Sequence, residues 1–235
     1  MKELFYQRYV SSGQAGYSGA TSDGSPYFDF LYESFFSGLD KGINILDIGC
    51  GRGEQLLYLN KKGFTNLKGV DVSREQVDLA PKINGIQISE GDLISYARQA
   101  EPDFFDVIIA KDIFEHLSLE ELFNLGQELK RILKKGGTIV GHVPNSDGIF
   151  GMKIRYGDLT HVQAFNEKSL KQLFRTLGFD HIRAIEDKPR SANLIKKIAR
   201  HILWQLFTFQ FRVLNYVESG EWRIILSSNL TFFVS

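Results

Sequence analysis

The sequence predicts an α/β fold: a doubly wound, mostly parallel sheet of seven strands flanked by helices. Two observations carry that prediction. From Gly42 onward, short apolar runs alternate with amphipathic stretches, and strand and helix change places five times. The first apolar run reaches Asp47 and then turns through Gly49, Gly51 and Gly53 into a helical stretch. Open parallel sheets offer a ligand a helix N-terminus in this way.

Residues 1–42 are rich in Gly, Ser and aromatics, with a short helix expected over 28–38. Tyr6, Arg8 and Tyr17 mark this segment as an N-terminal lid that excludes water from the site. The core spans 43–187. Strands are expected at 43–49, 67–72, 85–92, 104–112, 136–144 and 179–187, with helices at 53–63, 73–80, up to Ala100, 118–134 and 166–179. Ser73, three residues before Gln76, has the spacing of a helix cap. Residues 188–220 form a helical insertion before the last strand, and 221–235 close the core as a strand or hairpin.

Composition excludes several functions. The 235 residues carry 28 basic and 28 acidic side chains, so no overall field favours nucleic acid. One cysteine, Cys50, cannot form an internal disulfide or a multi-thiolate zinc site. The opening stretch MKELFYQRYVSSGQ lacks the apolar centre of a signal peptide, and no apolar run reaches the ~18 residues that span a bilayer. A cytoplasmic location is expected.

The glycine turn does not suit a dinucleotide. A G-x-G-x-x-G register places Glu54 or Leu56 where the third glycine belongs, and Glu54 at a helix start repels a pyrophosphate. The stretch ILDIGCGRGEQL, with its D-x-G-x-G-x-G spacing, instead resembles the first motif of the class I S-adenosylmethionine-dependent methyltransferases, a Rossmann-like family. Three further stretches extend the resemblance over about residues 40–180: GVDVS with Asp71, EGDL with Asp92, and FDVIIAKDIFEHL.

This resemblance implies S-adenosylmethionine as cofactor and S-adenosylhomocysteine as product. Asp71 would hold the ribose, Asp92 the adenine, and Gly49 with Gly51 the methionine end. Asp47, Cys50, Gly53, Val72, Leu93 and Lys111 complete the expected cofactor-binding set. The turn carries no phosphate-cradling pair of Lys or Arg, which suits a sulfonium ligand.

The acceptor is decided by loops at the carboxyl edge of the sheet. A hydroxyl must lose its proton to attack, and histidine has the intrinsic pKa for that task. The catalytic candidates are His161, His142 and Asp112, and the substrate-binding candidates are Arg155, Tyr156, Asp158, His116 and Tyr17. His116 also fits a half-buried helical stripe with Phe114, Leu117 and Leu119. No metal is expected, although Asp112, His142 and Asp158 carry ligand-type atoms. The segment YGDLTHVQAFNEKSLKQLFRTLGF resembles family members of bacterial surface-polysaccharide and glycan pathways. It implies O-methylation of a sugar in a glycan, nucleotide sugar or polysaccharide intermediate. A quinone or other small-molecule acceptor is the alternative, as is a non-catalytic binding module. No N-P-P-Y or D-P-P-Y amine signature follows the fourth strand.

From Lys188 to Val217 the chain carries six Lys and Arg and no acid. Leu194, Ile195, Ile198, Ile202, Leu206, Phe209 and Val213 follow helical spacing, with Lys196, Lys197 and Arg200 off that line. Three readings fit residues 191–217: packing on the sheet or in a homodimer, peripheral contact with the inner membrane surface, and a wall for the acceptor.

Overall fold

The computed structural model describes residues 5, 6, 8, 10–12, 25–187 and 194–235. Its elements in chain order are α1 (Ser25–Phe36), β1 (Asn44–Ile48), α2 (Glu54–Lys61), β2 (Asn66–Asp71), α3 (Arg74–Asp78), β3 (Ile86–Glu90), α4 (Leu93–Gln99), β4 (Phe105–Lys111), a 3₁₀ turn (Phe114–His116), α5 (Leu119–Ile132), β5 (Leu133–Pro144), α6 (Gly151–Arg155), α7 (Glu167–Thr176), β6 (Ile182–Glu186), α8 (Leu194–Ser219) and β7 (Asn229–Val234).

The strands form one seven-stranded sheet in the order β3-β2-β1-β4-β5-β7-β6. β7 runs antiparallel between β5 and β6, and every other pairing is parallel. The strand order reverses between β1 and β4, so the crevice beyond their carboxyl ends is the topological switch point. Asp47 lies near the end of β1 and Lys111 ends β4, on either side of it.

Alternation along the strands divides the core into two layers. Leu46 and Ile48 face the layer of α4, α5 and α7, with Leu125, Leu129 and Phe174 fully covered. Ile45, Ile109 and Val140 face the other layer, where Phe28, Tyr32 and Phe36 of α1 pack with Leu56, Leu59 and Phe64. α1, which the sequence grouped with the lid, is therefore a core helix. Its aromatic spacing buries one face against α2.

Local chemistry places most helix starts. Ser118 and Glu121 form a reciprocal capping box at α5, and Asn166 with Ser169 does the same at α7. The expected Ser73–Gln76 box does not form. Gln76 accepts from Arg52 Nε at 3.1 Å, and the buried Ser73 hydroxyl has no partner among the described residues.

Two other expectations change. Phe114 to His116 is a 3₁₀ turn, followed by Leu117 in extended conformation, so the helical stripe through Leu119 is absent and Leu119 is exposed. Residues 194–219 form one 26-residue helix, and its expected packing stripe faces solvent. Ile195, Ile198, Ile202, Leu206 and Phe209 are all more than half exposed. The inward side is instead set by Trp204, Thr208 and Arg212, with Arg212 reaching Glu186 of β6 at 3.4 Å. Residues 188–193, including Lys188 and Arg190, lie outside the described residues.

Candidate functional site

The glycine turn is shaped by positive φ. Gly49 has φ +69°, and a Cβ there would lie 1.9 Å from Ile113 Cδ1, so only glycine fits without displacement. Its amide and that of Cys50 donate to Val70 O at 2.7 and 3.1 Å, binding the turn to β2. Beneath the turn Asp47 is fully buried, and burial raises its carboxyl pKa. Gln55 donates to both its oxygens at 3.4–3.5 Å, and Tyr32 donates to Gln55 at 2.8 Å. Cys50 is buried beside Asp47 and Asp71, and burial pushes its thiol pKa up. It is an inert wall rather than a nucleophile.

Asp71 is aimed by backbone amides. Gly51 N donates to Oδ2 and Ser73 N to Oδ1, each at 2.8 Å. Burial raises its pKa while these two bonds counter the shift. Each oxygen keeps a lone pair that a ligand hydroxyl can use. Val72 beside it is exposed. Asp92, an exposed residue beside the half-buried Leu93, caps α4 through Oδ1, accepting from Ser95 N at 2.8 Å. Gly53, at φ +77°, opens α2 as its cap residue.

Beyond β4 lies a chain of charges. Lys111 pairs with Asp112, which also holds His142 Nδ1, while His142 Nε2 meets Asp187 Oδ2 at 3.1 Å. Burial alone would lower the His142 pKa, but Asp112 and Asp187 outweigh it and raise it to about 9. Asp112 is held below the ordinary carboxylate range: burial opposes this, and His142 and Lys111 prevail. With both ring nitrogens engaged, His142 has no lone pair on which to take a substrate proton. It braces β5, β6 and the Asp112 turn together.

A second polar cluster joins the 3₁₀ turn to the loop that carries RYGDLTHVQAF. Val162 N and Gln163 N both donate to Glu115 O, at 2.7 and 2.9 Å. Thr160 Oγ1 donates to Asp158 Oδ1 at 2.6 Å and stands 2.9 Å from His116 Nδ1. A hydroxyl has one proton, so the proton of this contact comes from the ring: His116 Nδ1–H donates to Thr160, which leaves Nε2 as an acceptor. Burial, then His161, lower the His116 pKa to about 4.

The His161 ring meets His116 edge-on at 4.6 Å, and Tyr6 of the N-terminal segment approaches His116 from another direction at 6.1 Å. Val10 N and Ser11 N donate to Glu75 of α3, so the described parts of that segment lie at the carboxyl edge. Arg155 stacks over the exposed Tyr156 ring at 5.1 Å, at the end of α6. Tyr17 lies outside the described residues.

The structure thus gathers Asp158, His116 and His161 in one cluster, and Asp112, Lys111 and His142 in another. Glu115, Thr160 and Asp187 belong to these networks, and Gln55 to that of Asp47; none was singled out in the sequence. Adjacency of Glu115 to His116 was the available signal for the first; a regular helix would have pointed the two apart. A cavity of about 330 Å³ lined by Asn44, Asn66 and Phe105 opens at the amino ends of β1, β2 and β4, away from both clusters.

A family model described as a methyltransferase domain matches residues 26–184. Among curated proteins, the ribosomal protein L11 methyltransferase of Dictyoglomus thermophilum is 28% identical over 57% of this chain and 40% of its own length. The chain spans about two fifths of the length of the first curated relatives it matches. Among solved structures, a SAM-dependent methyltransferase from Archaeoglobus fulgidus shares the fold with a TM-score of 0.68, at 21% identity over 96% of this chain and 98% of its own. Phosphoethanolamine N-methyltransferase 2 of Haemonchus contortus, bound to phosphomonomethylethanolamine and S-adenosylhomocysteine, gives 0.62 at 17% identity over 97% of this chain and 59% of its own.

Proposed function

The chain belongs to the class I S-adenosylmethionine-dependent methyltransferases, and on that premise we propose that it methylates a hydroxyl of a sugar in a glycan, nucleotide sugar or polysaccharide intermediate. The Asp158–Thr160–His116 hydrogen-bond chain with His161 edge-on to its ring is the observation that carries this reading. It is a preorganised, proton-accepting wall at the switch-point edge. An acceptor hydroxyl needs such a wall.

In this reading Asp71 binds the ribose hydroxyls, Asp92 the adenine amino group, and the Gly49–Gly51 turn the methionine end, with Asp47 and Gln55 supporting the turn from below. The bound cofactor supplies a methyl group that is already electrophilic on its sulfonium. The chain's work is alignment, exclusion of water and removal of one proton. His161 would accept the hydroxyl proton as the acceptor oxygen takes up that methyl group. Arg155 and Tyr156 contact the acceptor, and Arg155 suits a phosphate of a nucleotide sugar. Tyr6 and Val10 to Ser12 close the cofactor edge as a lid.

α8 presents its apolar face to solvent, with exposed Lys196, Lys197 and Arg200 near its start. This combination of an apolar face and cationic flank suits an anionic membrane surface, where a lipid-linked acceptor would be presented. No helix among the described residues is long and apolar enough to cross a membrane.

A phosphorylated amine is the second reading, supported by the fold likeness to the Haemonchus enzyme and its bound phosphomonomethylethanolamine. Turnover on a panel of nucleotide sugars, lipid-linked glycans and phosphoethanolamine, read by the mass gain of one CH₂, separates the two. Methylation of the amine alone would overturn the hydroxyl reading. Absence of S-adenosylmethionine binding by calorimetry would overturn both.

A further inference from the structure

Glu115, His116 and His161 each turn one ligand-type atom toward the others, and these atoms lie within 4.8 Å of one another. Side-chain rotation alone can bring such atoms to the spacing of ligands that share a cation through bonds of ~2.1 Å. We infer that these three residues form a binding site for a divalent transition-metal cation of the zinc, manganese or iron type.

Three independent features support the inference. Glu115 is 1% exposed, and its Oε2 is buried with no hydrogen-bond partner among the described residues. A buried, unsatisfied carboxylate oxygen costs stability unless something occupies the space before it. His161 Nδ1 is likewise buried and without a partner among the described residues, so two unsatisfied ligand-type atoms belong to the same small cluster. Finally, the Asp158–Thr160 pair fixes the His116 tautomer from outside, leaving Nε2 as the lone-pair nitrogen. Metal-binding histidines are commonly oriented by a hydrogen bond at the opposite ring nitrogen, ending on a carboxylate.

Two imidazoles and one carboxylate match intermediate cations better than magnesium or calcium, which take all-oxygen sets. Three protein ligands also leave coordination positions open, as in catalytic rather than structural sites. The open side would receive an oxygen of the acceptor. The inference thus deepens the hydroxyl-methylation reading while standing on residues that do not depend on it. A cation held there would polarise the acceptor hydroxyl and lower its pKa, so that with His161 serving as ligand the proton would leave to water instead of to the ring.

The test is calorimetric titration of the chelator-treated full chain with ZnCl₂, MnCl₂ and MgCl₂. One cation per chain is expected for zinc or manganese, with magnesium at least ~10-fold weaker. Glu115→Gln and His161→Asn should each weaken binding at least ~10-fold, and Thr160→Val about 10–100-fold through loss of the outer hydrogen bond. His181→Ala and His201→Ala, at exposed positions outside the cluster, should bind as the wild type does. S-adenosylhomocysteine binding checks the fold of each variant.

A readout on the unaltered protein guards against variants that fail to fold. Loaded with Co²⁺, the wild type should show two exchangeable imidazole N–H resonances outside the diamagnetic range. No one-to-one binding, binding unchanged in both ligand variants, or fewer than two shifted imidazoles would overturn the site. A protein that binds the cation but methylates no hydroxyl would sink only the acceptor reading. One that methylates a hydroxyl after chelation and binds no cation would sink only the metal site.

Discussion

His142 Nε2 stands 3.1 Å from Asp187 Oδ2, joining the end of β6 to a ring whose other nitrogen is already held by Asp112. The pair is nearly buried, so it is insulated from solvent screening. It makes stability depend on pH in a defined direction. The folded pKa of His142, about 9, lies above the ~6.5 of an unfolded chain. The contribution is therefore fully present below about pH 6.5 and is lost as pH rises through 9. Urea denaturation of wild type and His142→Gln should show a gap on the order of 3 kcal/mol at pH 6 that shrinks toward pH 10. A gap that stays constant across this range would refute the ionised pairing.

Asp71 should govern cofactor affinity. In Asp71→Asn one carboxylate oxygen becomes an NH₂ group facing a backbone amide donor, from Gly51 or Ser73. Charge-assisted bonds contribute ~1.5–3 kcal/mol each, so calorimetry should show S-adenosylmethionine binding weakened by about 10–100-fold. Unchanged affinity would remove Asp71 from the ribose site.

Gly49→Ala adds two separable penalties. The left-handed conformation costs an alanine ~1–2 kcal/mol, and overlap with Ile113 adds to it. Ile113→Ala should relieve the overlap and leave the conformational cost. A double-mutant cycle on unfolding free energy should therefore give a favourable coupling of ~1 kcal/mol or more. Simple additivity would mean the turn relaxes in some other way.

His161→Ala should reduce turnover by ~10²–10⁴-fold while cofactor binding holds. Its ring is only partly covered, so the fold should tolerate the change. Full turnover in this variant would withdraw His161 from the reaction.

α8 should bring the protein to anionic vesicles. Each basic residue near such a surface contributes ~1 kcal/mol, so Lys196→Ala, Lys197→Ala and Arg200→Ala together should weaken co-sedimentation by about 100-fold. Ile202→Asp with Leu206→Asp should abolish it by charging the apolar face. Equal, negligible pelleting of all forms would exclude the membrane role.

Much of this molecule was legible one residue at a time. Glycine at 49, 51 and 53 announces positive φ, and all three adopt it. Acids at or just after a strand's end announce the carboxyl edge of a parallel sheet: Asp71 ends β2, and Asp92 follows the end of β3 by two residues. These signals are local: a strand, a tight turn and a helix start are each decided within a few residues. Helical spacing in 195–213 likewise revealed an amphipathic helix, but periodicity reports that two faces differ without saying which is covered. Tertiary packing decided that. It turned Trp204 and Thr208 inward and left the aliphatic stripe in solvent.

The acceptor side depended still more on the fold. His142 looked able to reach a cleft from its strand, yet long-range contact with Asp187 made it a brace. His116 looked like part of a helical stripe, yet a 3₁₀ turn set it against Thr160, 44 positions away, and brought Glu115 into the same cluster. The sequence alone determined the sheet, its switch point and the cofactor turn, because these follow from backbone preference and short spacing. Tertiary structure decided that His142 is held at both ring nitrogens and that His116 meets His161. A ring's tautomer, burial and partners are set by groups that meet only when distant segments pack.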